Sequence, residues 1–278
     1  MTMLSFPAPA KLNLFLHVVG QRADGYHLLQ TVFRLLDVGD TIHIGITQDG
    51  TISRTSTIDG VSETDDLTLR AARLLKAETA CKLGAQIRVE KRLPMGGGLG
   101  GGSSDAATVL LALNRLWNLN LPRIRLLELG LQLGADVPVF VFGRNAWAEG
   151  IGEQLQPISL EPASYVVLTP AAHVSTPAIF ASQELTRNTL PIKMAAFLRG
   201  FGHNDLEPVA CRHYPAVASA LEWLKQFGDA RMSGSGSSVF LECQSETEAQ
   251  RVFAQKPENI AGFVAQGIEQ HPLHDFAN

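Results

Sequence analysis

The chain has little cysteine and no long apolar run. Its 278 residues include 3 cysteines, which stand far apart at Cys81, Cys211 and Cys243. An odd number of widely spaced cysteines argues against a disulfide framework and gives no zinc-ligand pattern. No apolar stretch approaches the roughly 18 residues that a membrane span needs. The first residues lack the charged start and apolar centre of a signal peptide. These absences predict a cytoplasmic protein that does not bind a membrane.

The chain also has little excess of either charge. The formal net charge is −4, with 18% charged and 45% hydrophobic residues, a composition typical of globular enzymes. A mildly acidic chain argues against a broad nucleic-acid surface. The length allows two domains with their own cores. We therefore predict a small-molecule partner, no nucleic acid, and a monomer or weak homodimer.

Glycine, by contrast, is concentrated in one segment. Residues 94–108 have the sequence PMGGGLGGGSSDAAT, in which six of the seven residues from Gly96 to Gly102 are glycine. A backbone without Cβ atoms can approach a ligand closely and direct several N–H groups to one point. A strand pattern precedes the run and a helical pattern follows it, so the helix start would add unpaired N–H donors. This arrangement predicts a phosphate site. A flexible linker is disfavoured, because linkers rarely join a strand to a capped helix.

Two common phosphate motifs fit these glycines poorly. No lysine follows them, as a Walker loop requires. Gly96, Gly98 and Gly101 match the dinucleotide fingerprint, but so dense a run matches almost any spacing. The acidic residue that the fingerprint needs about 20 positions later is missing. An NAD-dependent oxidoreductase is therefore a disfavoured alternative.

The first half of the chain alternates strand and helix patterns. Residues 11–18 have period two, with aliphatic side chains on one face and Lys11 and Asn13 on the other. A turn signal at residues 24–25 leads towards a second strand over residues 31–36. Periodicity and end signals further predict helices over residues 67–77, after the glycines and over 124–133, and strands over 87–90, 137–142 and 146–149.

The second half has its own order of elements. Apolar runs and capping residues predict a strand over 165–169, helices up to about 227, strands near 230 and over 239–242, a helix from Ser245 to 255 and a strand over 263–266. The order β-α-β-β-α-β is ferredoxin-like. A boundary between two prolines at 156–162 separates a domain of residues 1–156 from one of residues 157–278. The predicted fold class is α+β with two lobes.

Three motifs together resemble those of the GHMP kinases (galactokinase, homoserine kinase, mevalonate kinase, phosphomevalonate kinase). They are residues 9–14 (PAKLNL), 94–104 (PMGGGLGGGSS) and 232–240 (MSGSGSSVF). The resemblance runs from residue 9 to about residue 274. It implies an N-terminal lobe like domain 2 of ribosomal protein S5, which carries the ATP loop, and a ferredoxin-like C-terminal lobe.

Two further motifs, DGYH at residues 24–27 and GADVP at residues 134–138, resemble one branch of that superfamily. Members of this branch use ATP to phosphorylate the 2-hydroxyl of 4-diphosphocytidyl-2-C-methyl-D-erythritol, in the non-mevalonate route to isoprenoid precursors. The resemblance implies the same activity here. Another GHMP kinase activity, on mevalonate or homoserine, and a non-catalytic nucleotide-binding regulator remain alternatives.

The resemblance also implies a catalytic pair. Phosphoryl transfer needs positioning and charge stabilisation more than covalent chemistry. Asp136 would accept the proton of the substrate hydroxyl, while Lys11 would orient that hydroxyl and stabilise negative charge. From the residues alone, Asp136 could equally be a helix cap or Asx turn, and Lys11 a solvated side chain.

The remaining site residues follow from the same resemblance. The ATP phosphates, accompanied by Mg²⁺ with unknown protein ligands, would bind a loop of Pro94, Met95, Gly96, Gly97, Gly98, Leu99, Gly100, Gly101, Gly102, Ser103 and Ser104. Adenine contacts are expected near Asp66, Leu67 and Lys91. On the acceptor side the expected residues are Asn13, Tyr26, His27, Phe180, Gly234 and Gly236.

The ring-bearing residues on the acceptor side would recognise the cytosine. Tyr26 and Phe180 would stack on the cytosine while His27 binds its edge, although any one aromatic residue is more often part of a core. His271 and His274 stand apart from any further cluster, and we do not predict a metal there.

Overall fold

The computed structural model describes residues 2–277. The strands in this range are β1 (Leu4–Gln21), β2 (His27–Thr47), β3 (Ile52–Arg54), β4 (Gly84–Glu90), β5 (Ala146–Glu149), β6 (Gln154–Pro157), β7 (Ser164–Thr169), β8 (Arg231–Met232), β9 (Val239–Cys243) and β10 (Ala261–Ile268). The helices are α1 (Leu67–Thr79), α2 (Gly101–Leu116), α3 (Arg123–Leu133), α4 (Val137–Phe142), α5 (Thr176–Ala181), α6 (Met194–Phe197), α7 (Glu207–His213), α8 (Pro215–Lys225) and α9 (Glu246–Phe253), with a short 3₁₀ helix at His274–Phe276. None of these helices is long and apolar enough to cross a membrane.

Strands β1 and β2 form a long antiparallel hairpin, as the turn signal predicted. Lys11 pairs with Leu35 and Asn13 with Phe33, and the register shifts just after Asn13. The period-two pattern of β1 is present, yet both of its faces are buried, including Lys11 and Asn13. A burial this complete follows from the position of β1, whose side chains contribute to the core of the second lobe and to the central core between the lobes.

The sheet continues from one lobe into the other. Its main path runs β3-β4-β2-β10-β7-β9-β8, with β1 and β5 paired to β2 outside that path. The second-lobe portion, β10-β7-β9-β8, is antiparallel throughout. This strand order, combined with the helices between the strands, is ferredoxin-like and confirms the predicted fold class.

The end of the chain returns to the first lobe. Gly267 and Ile268 of β10 pair with β2, and Leu273 and Ala277 belong to the first hydrophobic core. The Arg123 guanidinium donates to the Ala277 carbonyl at 2.6 Å. The first core is therefore completed by residues from the other end of the sequence.

The prediction of a strand over residues 137–142 is wrong, because this segment is helix α4. All residues from Val137 to Val141 are buried. A short apolar run that is buried on all sides has no period that distinguishes a helix from a strand. Pro138, in the first turn, suits a helix start.

Helix α2 starts earlier than the apolar pattern suggested. Its first residue is Gly101, so Ser103 and Ser104 lie in its first turn. The glycine run therefore supplies both the loop and the beginning of the helix.

Candidate active site

A cavity of about 970 Å³ lies between the two lobes. Its walls come from the β1–β2 hairpin, the glycine-rich loop, the starts of α1 and α4, helix α5 and the loop after β8. Among the predicted site residues, it is lined by Lys11, Asn13, Tyr26, His27, Asp66, Leu67, Lys91, Pro94, Met95, Gly96, Gly97, Gly98, Gly100, Gly101, Gly102, Ser103, Asp136, Phe180 and Gly234.

The glycine-rich loop uses its carbonyl groups for the fold and leaves its N–H groups free. The carbonyls of Gly97, Gly98 and Leu99 accept from Ser238 N, Ser233 Oγ and Lys11 N at 3.0, 2.9 and 3.0 Å. By contrast, none of the N–H groups from residue 96 to residue 102 donates to another group within residues 2–277. A row of free N–H donors that ends in a helix start is suited to an anion.

Two glycines in this loop have no room for a side chain. Gly98 has φ +74°, and a Cβ atom there would lie 2.2 Å from the Ser233 carbonyl oxygen. Gly100 has φ +73°, and its Cβ would lie 2.8 Å from the Phe140 ring. Both the left-handed backbone and the close approach of the neighbours thus require glycine.

Lys11 and Asp136 meet at the wall of the cavity. The Lys11 ammonium lies 3.3 Å from Asp136 Oδ2 and donates to Asn13 Oδ1 at 2.6 Å. Asp136 immediately precedes α4, but its side chain makes no capping hydrogen bond. The carboxylate is therefore not used as a helix cap, and it is 39% exposed while Lys11 is almost fully buried.

Asn13 connects Lys11 to the loop between β8 and β9, residues 233–238, called the late loop below. Its side-chain amide donates to Thr31 Oγ1 at 3.0 Å, and its backbone N–H donates to Ser233 Oγ at 3.2 Å. Ser233 Oγ in turn donates to the Gly98 carbonyl. Asn13 is thereby held by β2 and the late loop and is linked to the glycine-rich loop through Ser233, while its side-chain oxygen accepts from the Lys11 ammonium.

Lys91 lies in a buried cluster beneath the start of α2. Its ammonium bridges Asp40 and Asp105, and Asp40 also accepts from the N–H groups of Arg92 and Leu93. Burial lowers the pKa of Lys91, but the two carboxylates outweigh this effect and raise it above the ordinary value. Burial, together with the nearby Asp40, raises the pKa of Asp105 to about 7 despite the opposing effect of Lys91.

Asp66 is engaged in capping α1. Its carboxylate accepts from Thr68 N at 2.8 Å and from Arg54 Nη1 at 3.0 Å. Both Asp66 and the adjacent Leu67 line the cavity, but the Asp66 side chain is buried and has its partners within the protein.

Tyr26, His27 and Phe180 surround another part of the cavity. Tyr26 is 60% exposed, whereas the His27 and Phe180 rings pack against each other with centroids 4.9 Å apart. The guanidinium of Arg187 donates to His27 Nε2 at 3.1 Å. Burial and the charge of Arg187 lower the pKa of His27.

Three of the predicted site residues do not line the cavity: Leu99, Ser104 and Gly236. Leu99 is buried, and its carbonyl accepts from Lys11 N. The Ser104 N–H donates to the Gly100 carbonyl at 2.8 Å, while its buried hydroxyl has no partner among residues 2–277. Gly236 donates to the Ser233 carbonyl at 3.0 Å. Their observed contacts are with the loops rather than with the cavity.

Sequence analysis missed several residues that hold the site together, among them Arg187, Asp40 and Thr31. An arginine among polar loop residues is typical of an exposed surface, so no pattern marked Arg187. Asp40 and Lys91 are 51 positions apart in the chain. They meet because β2 pairs with β4, where Thr41 lies opposite Glu90.

Comparison with known proteins agrees with this fold. Residues 66–144 match the family model described as "GHMP kinases N terminal domain", and residues 184–260 match "GHMP kinases C terminal". A crystal structure of mevalonate kinase superimposes with a TM-score of 0.66 at 16% identity, covering 97% of this chain and 100% of that one; at this identity the likeness concerns the fold alone. The fold and the site define a GHMP kinase.

Relatives narrow the class. A 4-diphosphocytidyl-2-C-methyl-D-erythritol kinase of Thiobacillus denitrificans is 62% identical over 98% of both chains. One of Nitrosospira multiformis is 61% identical over 99% of this chain and 94% of its own. A crystal structure of 4-(cytidine 5'-diphospho)-2C-methyl-D-erythritol kinase has a TM-score of 0.82 at 32% identity, covering 95% of this chain and 100% of that one. The chain belongs to the 4-diphosphocytidyl-2-C-methyl-D-erythritol kinase family.

Proposed function

We propose that this protein transfers the γ-phosphoryl group of ATP to the 2-hydroxyl of 4-diphosphocytidyl-2-C-methyl-D-erythritol. The products are the 2-phosphate and ADP, on the non-mevalonate route to isoprenoid precursors. The observation that carries the proposal is the Lys11–Asp136 pair, which shares one cavity with a loop of free N–H donors and an aromatic pocket. Family membership at 62% identity supports the same activity.

Asp136 accepts the proton of the attacking hydroxyl. As that O–H bond breaks, the oxygen forms a bond to the γ-phosphorus, and the bond from that phosphorus to the ADP oxygen breaks. Asp136 suits this role because its carboxylate is partly exposed and does not cap α4. The Lys11 ammonium beside it stabilises the negative charge on the transferring group.

The glycine-rich loop binds the phosphates of ATP through its free N–H groups. Mg²⁺ neutralises charge on the β and γ phosphates when it is bound. Residues 2–277 contain no group of three or more His, Cys, Asp or Glu side chains suited to a metal ion, which fits an ion held mainly by phosphates and water. Asp105, which lines the cavity at the start of α2 and whose Oδ1 has no partner within residues 2–277, would hold it there.

The acceptor is recognised at the aromatic end of the cavity. Tyr26 and Phe180 provide faces for a flat cytosine, and His27, the first residue of β2, packs against Phe180 of α5 and contacts the base edge. Gly234 and Asn13 line the path from this end to Lys11.

ADP release from the purified protein tests the proposal. The assay contains ATP, Mg²⁺ and one acceptor at a time: 4-diphosphocytidyl-2-C-methyl-D-erythritol, mevalonate or homoserine. We expect turnover with the first acceptor only. Turnover with another acceptor would keep the kinase mechanism and reject the substrate, while ATP binding without turnover on any of the three would contradict the activity proposed here.

A further inference from the structure

Arg187 connects Phe180 and His27, two of the residues expected to contact the cytosine base. It lies in the segment after α5, where its Nη2 donates to the carbonyls of Phe180 and Ser182, both at 2.8 Å. Its Nη1 donates to the Leu185 carbonyl at 3.1 Å. The fourth bond reaches the other lobe, from Arg187 Nε to His27 Nε2 on β2 at 3.1 Å. One planar guanidinium thus fixes His27 relative to the C-terminal end of α5.

The direction of this last bond has a chemical consequence for His27. A guanidinium has only N–H donors and stays protonated. A donor directed at Nε2 requires a lone pair there, so the neutral ring must carry its proton on Nδ1. Nδ1 has no hydrogen-bond partner within residues 2–277, and the ring lines the cavity.

A cytosine edge offers what an Nδ1–H donor needs. Ring nitrogen N3 and carbonyl oxygen O2 are acceptors, and either one pairs with Nδ1–H. The opposite tautomer would present a lone pair at Nδ1 and repel both atoms. Protonation of the ring is disfavoured too, because it would place a second N–H against the Arg187 donor.

We propose that Arg187 is a positioning residue for substrate recognition, which sets His27 as the Nδ1–H tautomer and orients it, together with Phe180, towards a hydrogen-bond acceptor of the pyrimidine. This rests on the proposed function, in that it takes the cytidine-bearing acceptor as the ligand. The state of His27 itself is a property of the free protein.

The first test is therefore made without substrate. Long-range ¹H–¹⁵N correlation NMR of histidine-labelled protein distinguishes the two tautomers, and the His27→Gln variant identifies the His27 signals. We expect wild type to show a protonated Nδ1 and a bare Nε2. In Arg187→Gln, whose amide can donate or accept, the two tautomers should mix. Arg187→Lys still only donates, so it should keep the Nδ1–H form while losing the bonds to Phe180 and Ser182.

The second test separates binding from chemistry. Loss of one oriented hydrogen bond corresponds to about a tenfold change in affinity, so Arg187→Gln should raise KM for the cytidine-bearing acceptor about tenfold. Because Arg187 is expected to contact neither ATP nor the reacting atoms, KM for ATP and kcat should change less than about twofold. Arg187→Lys should be intermediate. Arg212→Gln is the matched control, since Arg212 is exposed and its only ion pair within residues 2–277 is with Glu184 on the surface.

The outcomes are distinct from those for the proposed function. An Nε2–H tautomer in wild type, or an acceptor KM unchanged in Arg187→Gln, would overturn the role of Arg187. Failure of the wild-type protein to phosphorylate the cytidine-bearing acceptor would instead overturn the substrate, while the tautomer measurement would still stand. An equal rise in KM for ATP and for the acceptor in Arg187→Gln would indicate general damage to the fold and contradict the proposal. If Arg187→Gln fails to fold, the tautomer of His27 in wild type and in Arg187→Lys tests the proposal, and an Nε2–H form in either protein would overturn it.

Discussion

Lys11 and Asp136 differ in how far they are exposed, and the difference suits their roles. The Lys11 side chain is 3% exposed against 39% for Asp136. The ammonium is compensated by Asn13 Oδ1, by the Asp136 carboxylate, and by the face of the Phe33 ring 5.5 Å away. The Lys11 side chain is thus held in place within the wall, while Asp136 remains reachable by a substrate hydroxyl.

Asp136→Asn should remove the base and leave the shape of the site intact. General-base catalysis contributes about 10²- to 10⁴-fold, so we expect kcat to fall by about 10³-fold. ATP affinity, measured by calorimetry, should change little because the glycine-rich loop is untouched. Asp59→Asn, at an exposed position outside the cavity, should keep full activity. If Asp136→Asn retained more than about a tenth of kcat, a value far above that expected for loss of a base, the assigned role would be wrong.

Asp105 is an acidic side chain in an unfavourable environment. It is buried beside Asp40 with one oxygen unpartnered, and burial raises its pKa to about 7. In the unfolded chain an aspartate titrates near 4. Between these two values the folded protein binds more protons than the unfolded chain, so this group makes the protein less stable as pH rises.

Asp105→Asn should abolish that loss. We expect the variant to gain stability relative to wild type as pH rises from about 4 to about 8, by a change on the order of 2–4 kcal/mol in the difference between their unfolding free energies. Urea unfolding followed by circular dichroism at several pH values measures this difference. A difference that stays flat with pH would mean that Asp105 is charged throughout the range.

At the scale of elements, the glycine-rich loop and the late loop form one unit. Ser233 and Ser238 donate to the carbonyls of Gly98 and Gly97, and the N–H groups of residues 96–102 donate to no group within residues 2–277. Residues 94–100 and 233–238 belong to no strand or helix. The proposed phosphate site therefore depends on a contact between segments that lie 135 residues apart.

Gly98→Ala should separate the two loops. Gly98 has a left-handed backbone, and a Cβ there would lie 2.2 Å from the Ser233 carbonyl oxygen. We therefore expect the variant to lose about 2–4 kcal/mol of stability. It should also no longer bind ATP measurably. Gly102→Ala is the matched comparison for stability. Gly102 lies in α2 with its nearest neighbour 3.7 Å from a Cβ, and alanine should stabilise the helix by up to about 1 kcal/mol. Equal stabilities for the two variants would contradict the close approach at Gly98.

At the scale of the whole molecule, the C-terminal residues unite the two lobes. After β10 pairs with β2, the chain reaches the first core, and His271 is buried on the way with its Nδ1 accepting from Leu273 N at 3.0 Å. Burial, helped by the nearby His274 and Arg123, lowers the pKa of His271 to about 3. His271 must therefore stay neutral in the fold, whereas it can be protonated once the chain unfolds.

His271 should make the protein sensitive to acid. Its folded pKa lies below its unfolded value of about 6.5, so its full contribution is present above that value and is lost as pH falls towards 3. From about pH 6.5 to about pH 4.5 the loss is roughly 2–3 kcal/mol. His271→Asn keeps an acceptor for Leu273 and cannot be protonated, so its unfolding free energy should fall less over this range. His213→Asn, at an exposed position, should follow wild type; an identical pH slope for His271→Asn would refute the role of burial.

The local elements were largely predictable, and α4 shows the limit. Hairpin β1–β2, helix α2 and the capped helix α9 have clear period, turn or cap signals, and the structure contains all of them. Residues 137–142 are apolar throughout because they are buried on every side, so their sequence has no polar face to indicate a period. A fully buried element is decided by its neighbours.

The sequence by itself determined the nature of the ligand site, because free N–H groups in a glycine run before a helix follow from local backbone chemistry. It also supplied the motifs that carry Lys11 and Asp136. Only the tertiary structure decided which groups meet. The pairing of Asp136 with Lys11, of Lys91 with Asp40 and Asp105, and of Arg187 with His27 joins residues far apart in the chain. Such contacts depend on sheet register and lobe packing, and neither is written in the period of any one segment.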